Sequence, residues 1–205
     1  MGRKISEEIF ENLKTAIVFN KLRAGDRIGE VDLCEKYNAS RTPVRQALQQ
    51  LERLGLVEIR DGVGTFVTMI YEEELRDAFR IRCAAEKLAA ENAISLISDT
   101  ELNRQEQIFR KILTELEKGG YGSSFEEMIL ADWHLHDLIM NNSGNLLLNR
   151  VTEPVTLLLR RCQFAYISQY KRATLEHLDI IDCLKRKDYS CLCGVLGRHL
   201  RYRPE

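Results

Sequence analysis

Proline is scarce in this chain, with only three among 205 residues. That excludes a proline-rich linker or an extended polyproline segment between domains. Long apolar runs are missing as well. None approaches the ~18 residues that would cross a bilayer, and charge stands near the start where a signal peptide would need an apolar core. The expectation is a cytoplasmic protein with no membrane association. Bulk charge of either sign is also lacking, since 30 Lys+Arg face 31 Asp+Glu for a net charge of −1. Residues 1–70 hold 11 basic against 10 acidic side chains, and the remainder 19 against 21. Any affinity for a polyanion must therefore come from clustering in space.

Six cysteines are present, but Cys191-x-Cys193 has no second pair to complete a soft-metal site. The six read as small buried hydrophobes of a reducing compartment. With 44% apolar and 30% charged residues, the composition is that of a soluble globular protein. The length suits one large domain or two modest ones. There is no internal repeat and no low-complexity segment.

The stretch from Ser40 to Leu51 organises the first part of the chain. Val44, Ala47, Leu48 and Leu51 fall at i, i+3, i+4 and i+7, which makes one apolar helical stripe. Arg41, Thr42, Arg45 and Gln49 then lie towards the opposite, solvent side. Ser40 is a good N-cap, and Pro43 in the first turn sacrifices no intrahelical bond. Two arginines, a hydroxyl and an amide on a free helix face suit a DNA major groove. Arginine pairs with guanine, glutamine with adenine, and the hydroxyls of Ser40 and Thr42 suit phosphate. The alternative is an ordinary amphipathic surface helix with solvated arginines.

The flanking residues favour the first reading. Ile5, Ile9, Leu13 and Ile17 mark an amphipathic helix ending near Asn20, followed by a turn-bearing connection to Ile28. A shorter helix with Val31, Leu33 and Tyr37 comes next, and Asn38-Ala39 is a tight turn, asparagine being tolerant of positive φ. Two short helices joined by such a turn form the helix-turn-helix pattern. After Gly55 the periodicity becomes alternating. Val57 and Ile59, then Phe66 and Val67, flank Asp61-Gly62-Val63-Gly64, a hairpin signal. Three helices followed by a β-hairpin make a winged helix.

Here a resemblance becomes specific. Leu22-Arg23-Ala24-Gly25-Asp26-Arg27-Ile28, Ser40-Arg41-Thr42-Pro43-Val44-Arg45, Leu51-x-x-Leu54-Gly55-Leu56-Val57 and Gly62-Val63-Gly64-Thr65-Phe66-Val67 resemble the DNA-binding domain of the GntR family of bacterial transcription regulators. The resemblance implies that Arg41 and Arg45 contact operator DNA, that Ser40 and Thr42 assist, and that Gly62 of the wing enters the minor groove. Some members use an arginine early in the second helix; Val31 stands at that position here, so that contact is absent. Ala24 and Asn20 also depart from common proline and glycine positions, both in loops.

Beyond a short linker at Thr68–Glu73 the pattern is helical throughout. One long helix over 72–97 carries Leu75, Phe79, Ala85, Leu88 and Ala89. Ser98-x-x-Glu101 and Ser123-x-x-Glu126 are capping boxes for the next two helices, separated by a stop at Gly119-Gly120. An apolar helical stretch from Leu146 to Tyr170 should be kinked around Pro154, and two last helices cover 174–187 and 188–201. The expected fold is therefore mainly α: an N-terminal winged helix-turn-helix over 1–70, then an all-α six-helix bundle over 71–205.

Asp132 and His136 are i, i+4, hence on one helix face. His177 lies beside Ile180, Ile181 and Leu184, and His199 beside Val195, Leu196 and Leu200. Three imidazoles and a carboxylate suit zinc, nickel or another borderline divalent ion with positions left open. Each histidine could equally be a core residue satisfied locally, because spacing does not make separate helices converge. His134, on another face, reads as a surface residue, and Asn145 as a helix cap.

Asp132-x-x-x-His136, Ser143-Gly144-Asn145, Glu176-His177-x-x-Ile180-Ile181 and His199-Leu200, with Arg82-x-x-x-Glu86, are similar to the FCD effector domain of the FadR-type branch, in its shorter six-helix form. The resemblance implies a divalent metal at Asp132, His136, His177 and His199, and Arg82 as the cavity arginine pairing with an effector carboxylate. The alternative for Arg82 is a salt bridge with Glu86. Leu184 stands where that domain commonly has alanine. The resulting expectation is not an enzyme but a homodimeric regulator, a repressor by the family's commoner sign. It would bind operator DNA and a small organic acid. A direct metal sensor is the alternative, and a metalloenzyme carrying a DNA-binding module is disfavoured because no general base is readable near the four residues.

Overall fold

A computed structural model describes residues 2–118, 125–163 and 169–203. Its elements are α1 (Gly2–Val18), β1 (Arg27–Ile28), α2 (Glu30–Lys36), α3 (Arg41–Arg53), β2 (Val57–Arg60), β3 (Gly64–Val67), α4 (Glu72–Leu96), α5 (Asp99–Glu117), α6 (Phe125–Asn141), α7 (Leu148–Cys162), α8 (Tyr170–Lys185) and α9 (Tyr189–His199). The chain is thus mainly α, with a small sheet made of β1, ahead of the helix-turn-helix, and the β2–β3 hairpin that follows it. Its contacts divide it into two compact units, residues 1–75 with 153–164, and residues 76–152 with 165–205.

In the first unit, Ile9, Leu13 and Ile17 of α1 are buried together with Val44, Ala47, Leu48 and Leu51 of α3. Each fully buried aliphatic side chain of this kind contributes about 1.5–3 kcal/mol, so the apolar stripe of α3 is what fixes its opposite face to solvent. Asn38 ends α2 at φ 45°, the left-handed conformation that asparagine tolerates. The sheet is antiparallel in the order β1-β3-β2. Val57 is paired with Val67 and Arg60 with Gly64 across the hairpin. Gly62 sits at its tip with φ 70°, a conformation that penalises any side chain. The strand β1 was not expected from the sequence. Two residues are too short to show alternation, and their pairing with Thr65 and Phe66 exists only once the hairpin is folded. At the base of the wing, buried Arg161 of α7 donates to the Thr68 hydroxyl and carbonyl, each at 2.7 Å.

In the second unit the buried stripe of α4 is built from small residues, Ala78, Ala85, Ala89, Ala90 and Ala93. Leu88, expected in that stripe, is instead exposed. Ser98 caps α5 by accepting from the Glu101 amide at 3.2 Å, while the Glu101 carboxylate turns to Gln105 and His134. Only half of the capping box forms. Ser123 and Gly119-Gly120 lie outside the described residues. Of the helical stretch expected from Leu146 to Tyr170, α7 covers Leu148–Cys162 and runs through Pro154, and Tyr170 opens α8, the helix expected over 174–187; residues 164–168 lie outside the described residues. Asn145 is a cap, its Oδ1 accepting from the amides of Leu147 and Leu148. The cysteines depart from expectation, since Cys183 and Cys191 are joined as a disulfide between α8 and α9.

Candidate functional site

Two sites carry chemistry, one in each unit. The first is a groove of about 730 Å³ between α3 and the hairpin, whose lining includes Arg27, Glu30, Val31, Arg45, Gln49 and Gly62. Arg45 is exposed, and its Nε donates to Glu30 Oε2 at 3.1 Å. Arg27 Nη2 donates to the Val63 carbonyl at 3.1 Å and ties β1 to the wing tip. Arg60 lies over the Phe66 ring at 4.9 Å. Arg41, Thr42, Arg45 and Gln49 are all exposed on the face opposite the apolar stripe, as the helical wheel requires. Ser40 occupies the N-cap position with extended backbone, yet its side chain makes no capping hydrogen bond. Ser40 and Thr42 line a second hollow with Gln49, so Gln49 alone of the sequence-selected residues borders both depressions.

The second site lies in the helical unit. Asp132, His136, His177 and His199, from α6, α8 and α9, each offer one ligand atom, and these atoms all lie within 4.8 Å of one another. Asp132, His136 and His177 are buried and His199 is half-buried. Two carboxylates outside the four-residue set, Glu86 and Glu176, explain the ring orientations. His136 Nδ1 is 2.6 Å from Glu86 Oε2, and His199 Nδ1 is 3.0 Å from Glu176 Oε2. Burial opposes a charge on Glu86, but His136 and Arg82 on either side bring its carboxyl down to about 2. An ionised carboxylate only accepts hydrogen bonds. Each of these imidazoles therefore donates from Nδ1 and, as the neutral ring, keeps its lone pair on Nε2.

Those two Nε2 atoms face each other at 3.1 Å. Two lone pairs at that distance repel unless a cation stands near both. Burial, with the neighbouring histidines, takes His199 down to about 4, and burial also lowers His177. Protonating His199 or His177 is thus an expensive way to supply that charge. Burial works against the charge on Asp132 too, yet His177, His136 and Arg82 around it hold the carboxyl well below its usual range. His177 Nε2 lies 3.2 Å from Asp132 Oδ2 but lacks the alignment of a hydrogen bond, and Asp132 Oδ1 is buried without a partner among the described residues. Four convergent donors with unsatisfied lone pairs fit a borderline divalent ion.

Arg82 Nε donates to Glu86 Oε1 at 2.7 Å, so the i, i+4 pair weighed from the sequence does form, half-buried at Arg82, buried at Glu86 and joined to His136 through Glu86. Phe109 packs against the His177 ring at 4.6 Å between centroids. Tyr170 was missed by sequence reasoning. Its hydroxyl is buried without a partner among the described residues, and burial with Asp132 nearby pushes it up. His134 is exposed on Glu101, outside the cluster.

Comparison with known proteins matches both units. Residues 5–67 match the model for bacterial regulatory proteins of the gntR family, and residues 77–202 match the FCD domain. The chain is 29% identical over 185 residues to the HTH-type transcriptional regulator YdhC of Bacillus subtilis (strain 168), across 88% of this chain and 81% of that protein. It is 26% identical over 200 residues to the HTH-type transcriptional repressor RspR of Escherichia coli (strain K12), across 96% and 86%. Among solved structures, E. coli McbR/YncC shares the fold with a TM-score of 0.77 at 20% identity, covering 96% of this chain and 93% of that one.

Proposed function

The chain belongs to the gntR family of bacterial transcription regulators, with an FCD effector domain after its DNA-binding domain, and from that premise we propose a dimeric, cytoplasmic repressor whose operator affinity is set by a small carboxylate held at a divalent metal. Residues 1–70 take the DNA in this reading, and residues 71–205 take the metal, the effector and the partner subunit. Arg41 and Arg45 meet base edges, Gln49 an adenine, Ser40 and Thr42 phosphates, and Gly62 lets the wing backbone approach the minor groove. The repressor named among the relatives supports the sign of regulation.

The observation that carries the sensing half is the gathering of four ligand atoms within 4.8 Å, with the Nε2 atoms of His136 and His199 facing each other at 3.1 Å. Asp132, His136, His177 and His199 would hold zinc or nickel. Such an ion supplies Lewis-acid attraction for an anionic oxygen at its open positions. Glu86 and Glu176 hold two of the imidazoles in the tautomer a metal needs. The Nε of Arg82 is committed to Glu86, so an effector carboxylate would take its Nη edge. An effector changes operator affinity only through its differential affinity for the two DNA-binding states. Exposed Ile81, Leu88 and Leu96 on one side of α4 support a partner subunit there.

Elemental analysis of purified protein, followed by a thermal-shift screen of small carboxylates and DNA binding with and without each hit, tests the proposal. About one divalent ion per chain and a carboxylate that both raises the melting temperature and shifts operator affinity are expected. Protein purified without any divalent ion, and unresponsive to added zinc or nickel, overturns the sensing half.

A further inference from the structure

We infer that Val31 is a base-reading residue of this regulator, its isopropyl group packing on the C5-methyl of an operator thymine in the major groove. The inference rests on the reading of the α3–wing groove as the DNA face. Val31 is 58% exposed, and with Val63, at 56%, it is one of two large aliphatic side chains of the winged helix left in solvent that line that groove. Exposed Met69 and Tyr71 of the same unit do not line it. A single exposed valine needs no explanation by itself. This one lines the same groove as Arg45, and Glu30, its chain neighbour, holds Arg45 Nε at 3.1 Å.

Whatever base Arg45 reaches, the start of α2 arrives beside it. A valine there has no polar atom to offer a base edge, and in unmodified DNA the major groove presents one apolar feature, the thymine methyl. The two groups are matched in size and in chemistry. Covering both removes apolar surface from water, as in any core contact. Glu30 cannot take the same role towards phosphate or a purine acceptor, since a carboxylate only accepts hydrogen bonds. The start of α2 therefore contributes shape and methyl recognition where Arg45 contributes a charge-assisted pair. Val63 serves as an internal contrast, because it stands on the wing, and the minor groove carries no methyl group.

The test uses the full-length protein. An operator is first selected from a random duplex pool, and each thymine of the selected site is then replaced in turn by deoxyuridine, which lacks only the C5-methyl. Wild type should lose about fourfold in affinity at one thymine in each half-site, the worth of one buried methyl. Val31→Ala should bind the thymine and uracil forms equally and keep the wild-type melting temperature, while Val63→Ala should keep the wild-type difference. A selected operator with no methyl-sensitive thymine overturns the inference, and so does a Val31→Ala protein that still discriminates. Failure to select any sequence overturns the operator-binding reading itself, and is told apart because it appears before any uracil is introduced.

Discussion

Arg45 and Glu30 form an ion pair across the turn between α2 and α3, with Nε 3.1 Å from Oε2 and the arginine 60% exposed. If Arg45 reads a base edge as proposed, the neighbouring carboxylate orders it before DNA arrives, and it must exchange that carboxylate for the base. An exposed pair of this kind is worth at most about 1 kcal/mol, so the exchange is readily driven by a bidentate base contact. Arg45→Ala should weaken operator binding by about 1–3 kcal/mol with the fold intact. Glu30→Gln should raise affinity for random duplex and lower the ratio of specific to non-specific binding, since it removes a negative charge from the groove. Fluorescence anisotropy on operator and scrambled duplexes at several salt concentrations measures both effects.

His177→Ala removes a buried nitrogen of the Asp-His cluster. Bound divalent metal should fall to a small fraction of one equivalent, and the stabilisation by added metal should vanish, while binding to the operator persists. Elemental analysis and thermal melts with and without added zinc read the outcome. Full metal content in this variant would remove His177 from the ligand set.

Glu86→Gln and Glu176→Gln act one bond further out, through the Nδ1 hydrogens of His136 and His199. Each should cost about 10–100-fold in metal affinity without abolishing it. Competition against a chromophoric chelator gives the value. Unchanged affinity in both variants would mean that the carboxylates do not orient the imidazoles.

Ile81→Asp together with Leu88→Asp places two charges on the exposed apolar side of α4. If that side carries the partner subunit, sedimentation should report a monomer in which each chain retains its helical content. Operator affinity should then fall steeply, because two half-sites would no longer be bound by one particle. A double variant that remains a dimer would place the interface elsewhere.

Arg161→Met leaves the Thr68 carbonyl without its charged donor at the base of the wing. Hydrogen bonds from a charged group are worth about 1.5–3 kcal/mol, so the first unit should lose about 2–3 kcal/mol of stability. Denaturant unfolding followed by circular dichroism would register the loss, with operator binding at low temperature retained.

The order of the elements and the faces they present were legible in consecutive residues. Val44, Ala47, Leu48 and Leu51 repeat at helical spacing, and all four are buried, which leaves Arg41, Thr42, Arg45 and Gln49 exposed. Asp61 to Gly64 could only be a tight turn, and the hairpin closes there. Periodicity misled at Leu88, because the neighbouring alanines of α4 face the core and the larger side chain does not. It was silent on β1, whose two residues become a strand only by pairing with β3.

What the chain alone determined, then, was local: which residues are helical, which turn, and which side of each helix is apolar, since those properties depend on neighbours a few positions apart. Only the tertiary structure decided that Glu86 would meet His136 from 50 positions away and Glu176 meet His199 from 23, with four ligand atoms gathered within 4.8 Å. That convergence depends on how four helices pack, α4, α6, α8 and α9, and helix packing is set by the volume and shape of the whole core, not by the spacing of residues along any one helix.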